Sequence, residues 1–381
     1  MGDDLVKTVK ISKNGRFYFS RNFDEEKIES LLDNVRLQYI IIQEIPVLPA
    51  LRSDIKKVIR RQAIHGTAAL EGNPLSEEEV GEILDRTDNL KSIEKKYREI
   101  ENLDLADNLL KQNFTKEGPP YLLKEEDILF FHKTIVEGIE EEKTRPGQYR
   151  INKVSVGDKE HGGTYVPPKT KKDIVLLMNE FIKFINDEKM LSLDPVVRAA
   201  IAHYHLGRIH PFEDGNGRVA RYIEALLMQT AGLKYFPVNL FDFYNKYLDE
   251  YYWAFSLAGK NKEKDLTPYI SFIVTVISET LTELSNKIQL SIRTLIFKEL
   301  IKGLRANRDI TLRQHDFIEL LLNSEKEKVT NIANTAPFNI LYRDVVPRTL
   351  ARDLKKLQGL NLIHVSEEKE VSINMSVLDF E

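Results

Sequence analysis

The chain has 381 residues, 42% hydrophobic and 30% charged, with 55 Lys plus Arg, 59 Asp plus Glu and no Cys. That length allows two or three soluble domains, the missing Cys excludes disulfides and thiol chemistry, and the net charge of −4 argues against generic nucleic-acid binding. No apolar stretch approaches the roughly 18 residues of a membrane span and no signal-peptide core opens the chain; with the lack of Cys, this fits a cytoplasmic protein.

Residues 6–19 alternate around Asn14-Gly15, which predicts a small hairpin. Helical periodicity runs from about Glu25 to Lys111 and is broken at Ile45-Pro-Val-Leu-Pro49. Within it, Gln62 to Asn73 carries small residues (Ala63, Gly66, Ala68, Ala69) along a helix that Gly72 should stop. Thr67 and Glu71 fall at i and i+4 on one face. Glu71 lies near the carboxyl end, where the helix dipole disfavours an anion by a few tenths of a kcal/mol, so it wants a cation.

Gly118-Pro-Pro120 marks a boundary into a second region. Ile151–Val156 and Thr164–Pro168 alternate around a glycine-bearing tip (Gly157, Gly162, Gly163), and predict a second hairpin. A helix from Asp194 to Gly207 then delivers the chain to His-Pro-Phe-Glu-Asp-Gly-Asn-Gly-Arg-Val-Ala-Arg, residues 210–221. Gly215, Asn216 and Gly217 tolerate the dihedrals that turn successive amides toward one point, and helical spacing resumes after them. The nest therefore sits at a helix N-terminus, where a phosphate is favoured. Arg218 and Arg221 share a face of the first turn and lean back over it. Asp214 is placed for a hard divalent cation, and His210 has the pKa range of a general base. A base, a magnesium ligand and a phosphate cradle together support attack of a hydroxyl on a nucleotide phosphate. A zinc centre fits less well: His203 and His205, two apart on a helix, face different sides and no Cys is available.

A nucleotide base needs an aromatic or apolar wall, and Tyr251, Tyr252 and Trp253 are candidates for it, although three adjacent aromatics on a helix cannot all face it and the core claims such residues as readily. A long helix covers roughly Thr267 to Ile301. After it, helices over 313–322 and 347–358 and strand-like segments over 361–365 and 371–374 form a winged-helix-like pattern. Residues 301–381 hold 12 Lys plus Arg against 12 Asp plus Glu, which favours a protein contact or homodimer role over DNA.

The dodecamer resembles the signature of the Fic family, His-Pro-Phe-x-(Asp/Glu)-Gly-Asn-Gly-Arg-x-x-Arg, and meets every fixed position. The resemblance implies transfer of AMP from ATP to a hydroxyl side chain of a target protein, this chain itself included. His210 would be the base and Asp214 would sit on Mg²⁺. Asn216, Gly217 and Arg218 would hold the α- and β-phosphates and Arg221 the γ-phosphate, with Gly215 in the turn and Phe212 anchoring the loop. Gly-Asn-Gly is kept, unlike in Doc-type relatives that phosphorylate, which favours AMP transfer. Thr67, Glu71 and Gly72 resemble the family's inhibitory motif (Ser/Thr)-x-x-x-Glu-(Gly/Asn), in which Glu71 would pair with Arg221 and keep it from the γ-phosphate. Residues 151–166 resemble the flap that aligns a target segment, and Tyr252 stands near the place of a base-contacting tyrosine. The expected architecture is mainly α: a helical N-terminal region with a small hairpin and the inhibitory motif (1–117), a Fic-type helical core with a β-hairpin flap (118–301) and a winged-helix-like domain (302–381). The competing reading is a nucleotide-sensing regulator that binds DNA or a protein through the last module, and removal of AMP is a further possibility within the enzyme class.

Overall fold

A computed structural model describes residues 5–12, 15–86, 94–114, 118–139, 144–157, 159–234, 237–260, 262–324, 326–343, 345–346 and 348–379. Two sequence expectations fall outside these: the turn residue Asn14 and the helix-opening Pro347. The chain divides into two compact units, residues 1–284 and 285–381.

The first unit opens with the antiparallel pair β1 (Val6–Ile11) and β2 (Gly15–Ser20), in register Val9↔Phe17. Phe17 and Phe19 alternate inward, and Phe19 packs on Phe184 and His205 at centroid distances of 5.4 and 5.3 Å. Next, α1 (Glu25–Glu44) starts where the Asp24 side chain accepts the Lys27 amide. α2 (Pro49–Ala69) has Pro at its first position, where a missing N–H costs nothing. Its end is the expected one: Gly72 has φ +84°, and the amides of Glu71 and Asn73 both return to the Ala68 carbonyl. A Cβ on Gly66 would stand 2.7 Å from the Phe241 carbonyl oxygen, so only glycine lets α2 come this close to a later helix. That seats the carboxyl end of α2 firmly.

α3 (Glu77–Leu84) is closed by a Ser76–Glu79 capping box, and α4 (Lys95–Asn113), α5 (Glu125–Val136), α6 (Lys171–Ile185) and the single turn α7 (Glu188–Leu191) follow. At the centre lie α8 (Pro195–Ile209) and α9 (Asn216–Thr230), buried on nearly every side. Ala199, Ala200 and Ala202 thin α8, while α9 buries Tyr222, which stacks on Phe131 at 5.5 Å and donates to the Leu103 carbonyl at 2.8 Å. α10 (Leu240–Lys246) and α11 (Leu248–Lys260) complete the wall, and α12 (Thr267–Ala306) begins in this unit and ends in the second. Among the described residues no helix is long and apolar enough to cross a membrane.

In the second unit the elements run α13 (Leu312–Leu321), β3 (Glu327–Lys328), α14 (Val329–Asn334), α15 (Asn339–Tyr342), α16 (Arg348–Gly359), β4 (Ile363–Val365) and β5 (Glu370–Ile373). The antiparallel strands are ordered β3-β5-β4. Phe317, Ile318, Leu321, Leu357, Leu362 and Val371 form its core. The expected helices and strands are present; β3, α14 and α15 are too short to show a period.

One expectation needs correction. Residues 151–168 do not form a ladder: among the described residues they hold a single bridge, Val156 with Tyr165, through N···O distances of 2.8 and 2.7 Å. The amides of Ile151 and Asn152 donate instead to Glu213 Oε1, each at 3.1 Å, and Pro167 and Pro168 have no N–H to offer. The flap is an extended loop pinned from outside.

Candidate active site

The loop between α8 and α9 is built by three constraints. His210 ends α8 in the left-handed region, φ 51° and ψ 61°, which for a residue with a Cβ costs of order 1–3 kcal/mol and turns the chain sharply. Phe212 is fully buried, stacked on the His132 ring at 3.7 Å and 6° and 5.7 Å from Tyr149. Asn216 closes the loop, accepting the Phe212 amide and donating to the Phe212 carbonyl, both at 2.9 Å. Gly215 caps α9 at φ +78°; a Cβ there would approach Val136 to 3.1 Å. The first α-helical bond of α9 runs from the Val219 amide to the Gly215 carbonyl, so the amides of Asn216, Gly217 and Arg218 have no acceptor within the helix. Three amide donors are thus left for a partner outside the helix, which is what a nest there requires. The Asn216 side chain is spent on the loop, so only its backbone amide is left to serve as a donor there.

His210 Nδ1 lies 3.3 Å from the Gly207 carbonyl. A carbonyl only accepts, so Nδ1 carries the hydrogen and Nε2 keeps its lone pair. Burial pushes the imidazole down to about 4 against the smaller pull of that hydrogen bond, so the ring is neutral at physiological pH. The His210 carbonyl is gripped by Arg150 Nε at 2.7 Å, and Arg150 also donates to the carbonyls of Asn152 and Pro168.

The two motif arginines are both paired. Arg218, 1% exposed, donates to Asp214 at 2.8 Å and to Glu99 of α4. Burial works to raise the Asp214 carboxyl, but Arg218 and the Gly215 amide outweigh it and keep it below the usual range. Arg221, 2% exposed, donates through Nε to Thr67 Oγ1 at 2.9 Å and through Nη2 to Glu71 at 2.7 Å. The Glu71 carboxylate also lies against the Gly217 Cα, where any Cβ would collide with it. Thr67, Glu71 and Arg221 are thus brought together across some 150 residues of chain, with Gly72 ending the turn that carries Glu71.

A cavity of about 470 Å³ is lined by Glu71, His210, Gly217 and Arg221, by Tyr251 and Tyr252, and by the flap residues Val156 and Tyr165. Tyr252 stands 5.2 Å from the flap's His161, whereas Trp253 is 44% exposed and outside the lining. On the other side of Glu71 a second cavity, about 650 Å³, is reached by Asp214, Arg218 and Lys95. His203 and His205 are not metal ligands here: His203 lies between Glu224 and Tyr251, each at 3.0 Å, and His205 faces Ser20 of the hairpin. Among the described residues no group of three His, Asp or Glu is spaced to hold a metal. Asp214 remains suited to Mg²⁺, which takes one or two carboxylates and completes its shell with phosphates and water.

Sequence reasoning missed Glu99, His132, Arg150 and Glu213. Each makes at least one contact with a residue some sixty or more positions away, which no local pattern shows.

Residues 122–228 match the Fic/DOC family. The chain is similar to the protein adenylyltransferases Fic of Drosophila ananassae and Drosophila melanogaster, 33% and 32% identical over 263 residues, which is 68% of this chain and 48% of each relative. It therefore spans about half the length of the curated relatives it matches. Among solved structures it resembles a Fic family protein from Desulfovibrio desulfuricans G20 (TM-score 0.55, 18% identity, 91% of this chain and 95% of that one). It also resembles residues 134–508 of Fic-1 from C. elegans (TM-score 0.53, 25% identity, 69% and 72%). With the loop geometry and these likenesses in hand, the chain is identified as carrying a domain of the Fic/DOC family over residues 122–228.

Proposed function

We propose that this chain transfers AMP from ATP to a hydroxyl side chain of a protein, and that Glu71 holds the reaction in check. The acceptor oxygen attacks the α-phosphorus, its proton passes to His210 Nε2, and the bond to the bridging oxygen breaks to release pyrophosphate. Asp214 would hold Mg²⁺, which supplies charge neutralisation at the phosphates. The amides of residues 216–218 would receive the phosphates, with Arg218 behind them and Tyr252 beside the base.

The observation that carries the reading is the Glu71–Arg221 pair at the mouth of the nest. A buried guanidinium left alone costs about 3–5 kcal/mol, so Arg221 needs an anion at all times. Glu71 supplies one in this state, and the γ-phosphate of ATP is the natural replacement. While Glu71 sits there, the triphosphate cannot take its extended pose. A substitution that removes the carboxylate, Glu71→Gly, frees the place.

The flap offers edge backbone around the Val156–Tyr165 bridge to a target segment, the mode in which main-chain bonds bind and side chains select. We keep the division into 1–117, 118–301 and 302–381 as a proposal. The last module is proposed as a winged-helix-like contact surface for a protein or a second copy, since its charges balance; a cytoplasmic location is supported by the lack of Cys.

Incubation of the Glu71→Gly variant with lysate and ATP labelled at either the α- or the γ-phosphate tests the chemistry. Label in protein from the α position alone is expected. Label from γ would mean a kinase, and none from either would mean a nucleotide sensor.

A further inference from the structure

His132 sits on α5, is 1% exposed and takes no part in the chemistry above. Its ring covers Phe212 face to face, yet a phenylalanine could do that without burying two polar atoms. Both of those atoms are used. Nδ1 receives the Gly147 amide at 3.0 Å, and Nε2 lies 3.2 Å from the Asp214 carbonyl. The proton's place follows: an amide can only donate and a carbonyl only accept, so Nδ1 bears the lone pair and Nε2 the hydrogen. One neutral ring satisfies both.

The two partners belong to separate segments of the chain, one leading into the flap and one in the catalytic loop. Gly147 lies at the root of the flap, three residues before Arg150, whose guanidinium holds the His210 carbonyl. Asp214 closes the other end of the catalytic loop. The loop from 210 to 214 is therefore gripped at one end through Arg150 and at the other through His132, with Phe212 stacked between.

We propose that His132 is a positioning residue that ties the root of the flap to the catalytic loop, so that the acceptor-binding wall and the phosphate-binding wall keep one spacing. It acts through Gly147 and Asp214 and touches no reacting atom. The kinetic part of this inference rests on AMP transfer being the reaction; the mechanical part does not.

The two hydrogen bonds can be cut separately. A Gln side chain puts its amide nitrogen near the place of Nε2 and keeps the donor to Asp214; an Asn side chain puts its oxygen near the place of Nδ1 and keeps the acceptor for Gly147. His132→Gln, His132→Asn and His132→Phe, each made beside Glu71→Gly, are compared by amide hydrogen exchange of segments 144–150 and 211–218 and by steady-state transfer. In His132→Phe both segments are expected to exchange at least tenfold faster, with kcat down about tenfold and KM for ATP within threefold of the parent. His132→Gln should loosen 144–150 alone and raise KM for the protein acceptor, while His132→Asn should loosen 211–218 alone and lower kcat. Identical exchange in all three variants, or exchange unchanged from the parent, would overturn the tie. If the parent transfers no AMP, the exchange pattern still decides for or against His132, and the failure falls on the proposed reaction. If His132→Phe does not fold, the opposite patterns of the Gln and Asn variants carry the test.

Discussion

The catalytic loop and the flap face each other across one cavity and differ in how much of their fastening is their own. The loop from His210 to Asn216 is gripped from outside by Arg150 and His132 and adds holds of its own: the Asn216 side chain, a buried Phe212 and a left-handed His210, all inside seven residues. Among the described residues the flap has one ladder pair of its own and is held from outside by Arg150, Glu213, Arg208 and Asp249. Phosphate chemistry needs fixed geometry, whereas a surface that must accept a foreign segment needs unspent backbone donors and acceptors. The denser set of internal contacts lies on the side proposed for the chemistry.

The largest expected break comes at the base. His210→Ala should lower AMP incorporation by roughly 10²- to 10⁴-fold while ATP affinity stays within a few-fold, since removing a general base leaves the phosphate cradle intact. A loss confined to KM would show that His210 only shapes the pocket.

Cutting each side's packing sharpens the contrast. Phe212→Ala should cost about 3–5 kcal/mol in denaturant unfolding, because the ring is enclosed. Ile151→Ala, at a flap residue 56% exposed, should stay within about 0.5 kcal/mol. Equal costs would erase the distinction between loop and flap.

Acid should act on the packed side. Burial pushes His205 down to about 4, so its neutral form is preferred in the fold, while an unfolded imidazole titrates near 6.5. Stability from this group is complete above about pH 6.5 and is lost as pH falls from there to about 4, by at most about 3 kcal/mol. Unfolding midpoints measured from pH 8 to 4 should fall in that window, and His205→Gln should flatten the slope. By the same sign, transfer should be level from pH 8 to about 5 and fall toward 4 as His210 protonates.

The smallest effect belongs to the flap's outer pin. Glu213→Gln weakens an acceptor shared by two amides and the Asn152 side chain, so KM for a protein acceptor should rise about threefold, with KM for ATP unchanged. A matching rise in both would place Glu213 in the nucleotide site instead.

What could be read in the sequence follows the same division. Gly215 and Gly217, the two arginines and the base lie within twelve residues, so short-range geometry alone places the nest and the helix start. The Thr67–Glu71 spacing fixes a shared helix face, and the charge of Glu71 at a helix carboxyl end demands a cation, though only the fold supplies Arg221 from 150 residues away. The flap misleads because alternation reports which residues could pair, not whether their amides are free; Glu213 and two prolines had claimed them. His132 and Glu99 are invisible for a related reason. A buried polar residue in a helical period looks like a flaw in the pattern until its partners are known.

The rate of AMP incorporation into protein, measured for the parent, for Glu71→Gly and for Glu71→Gly with His210→Ala, probes the exchange of anions at Arg221 most directly. A rise of tenfold or more on removing Glu71, abolished again without His210, is the expected result. Equal rates in the parent and the Glu71→Gly variant would contradict it.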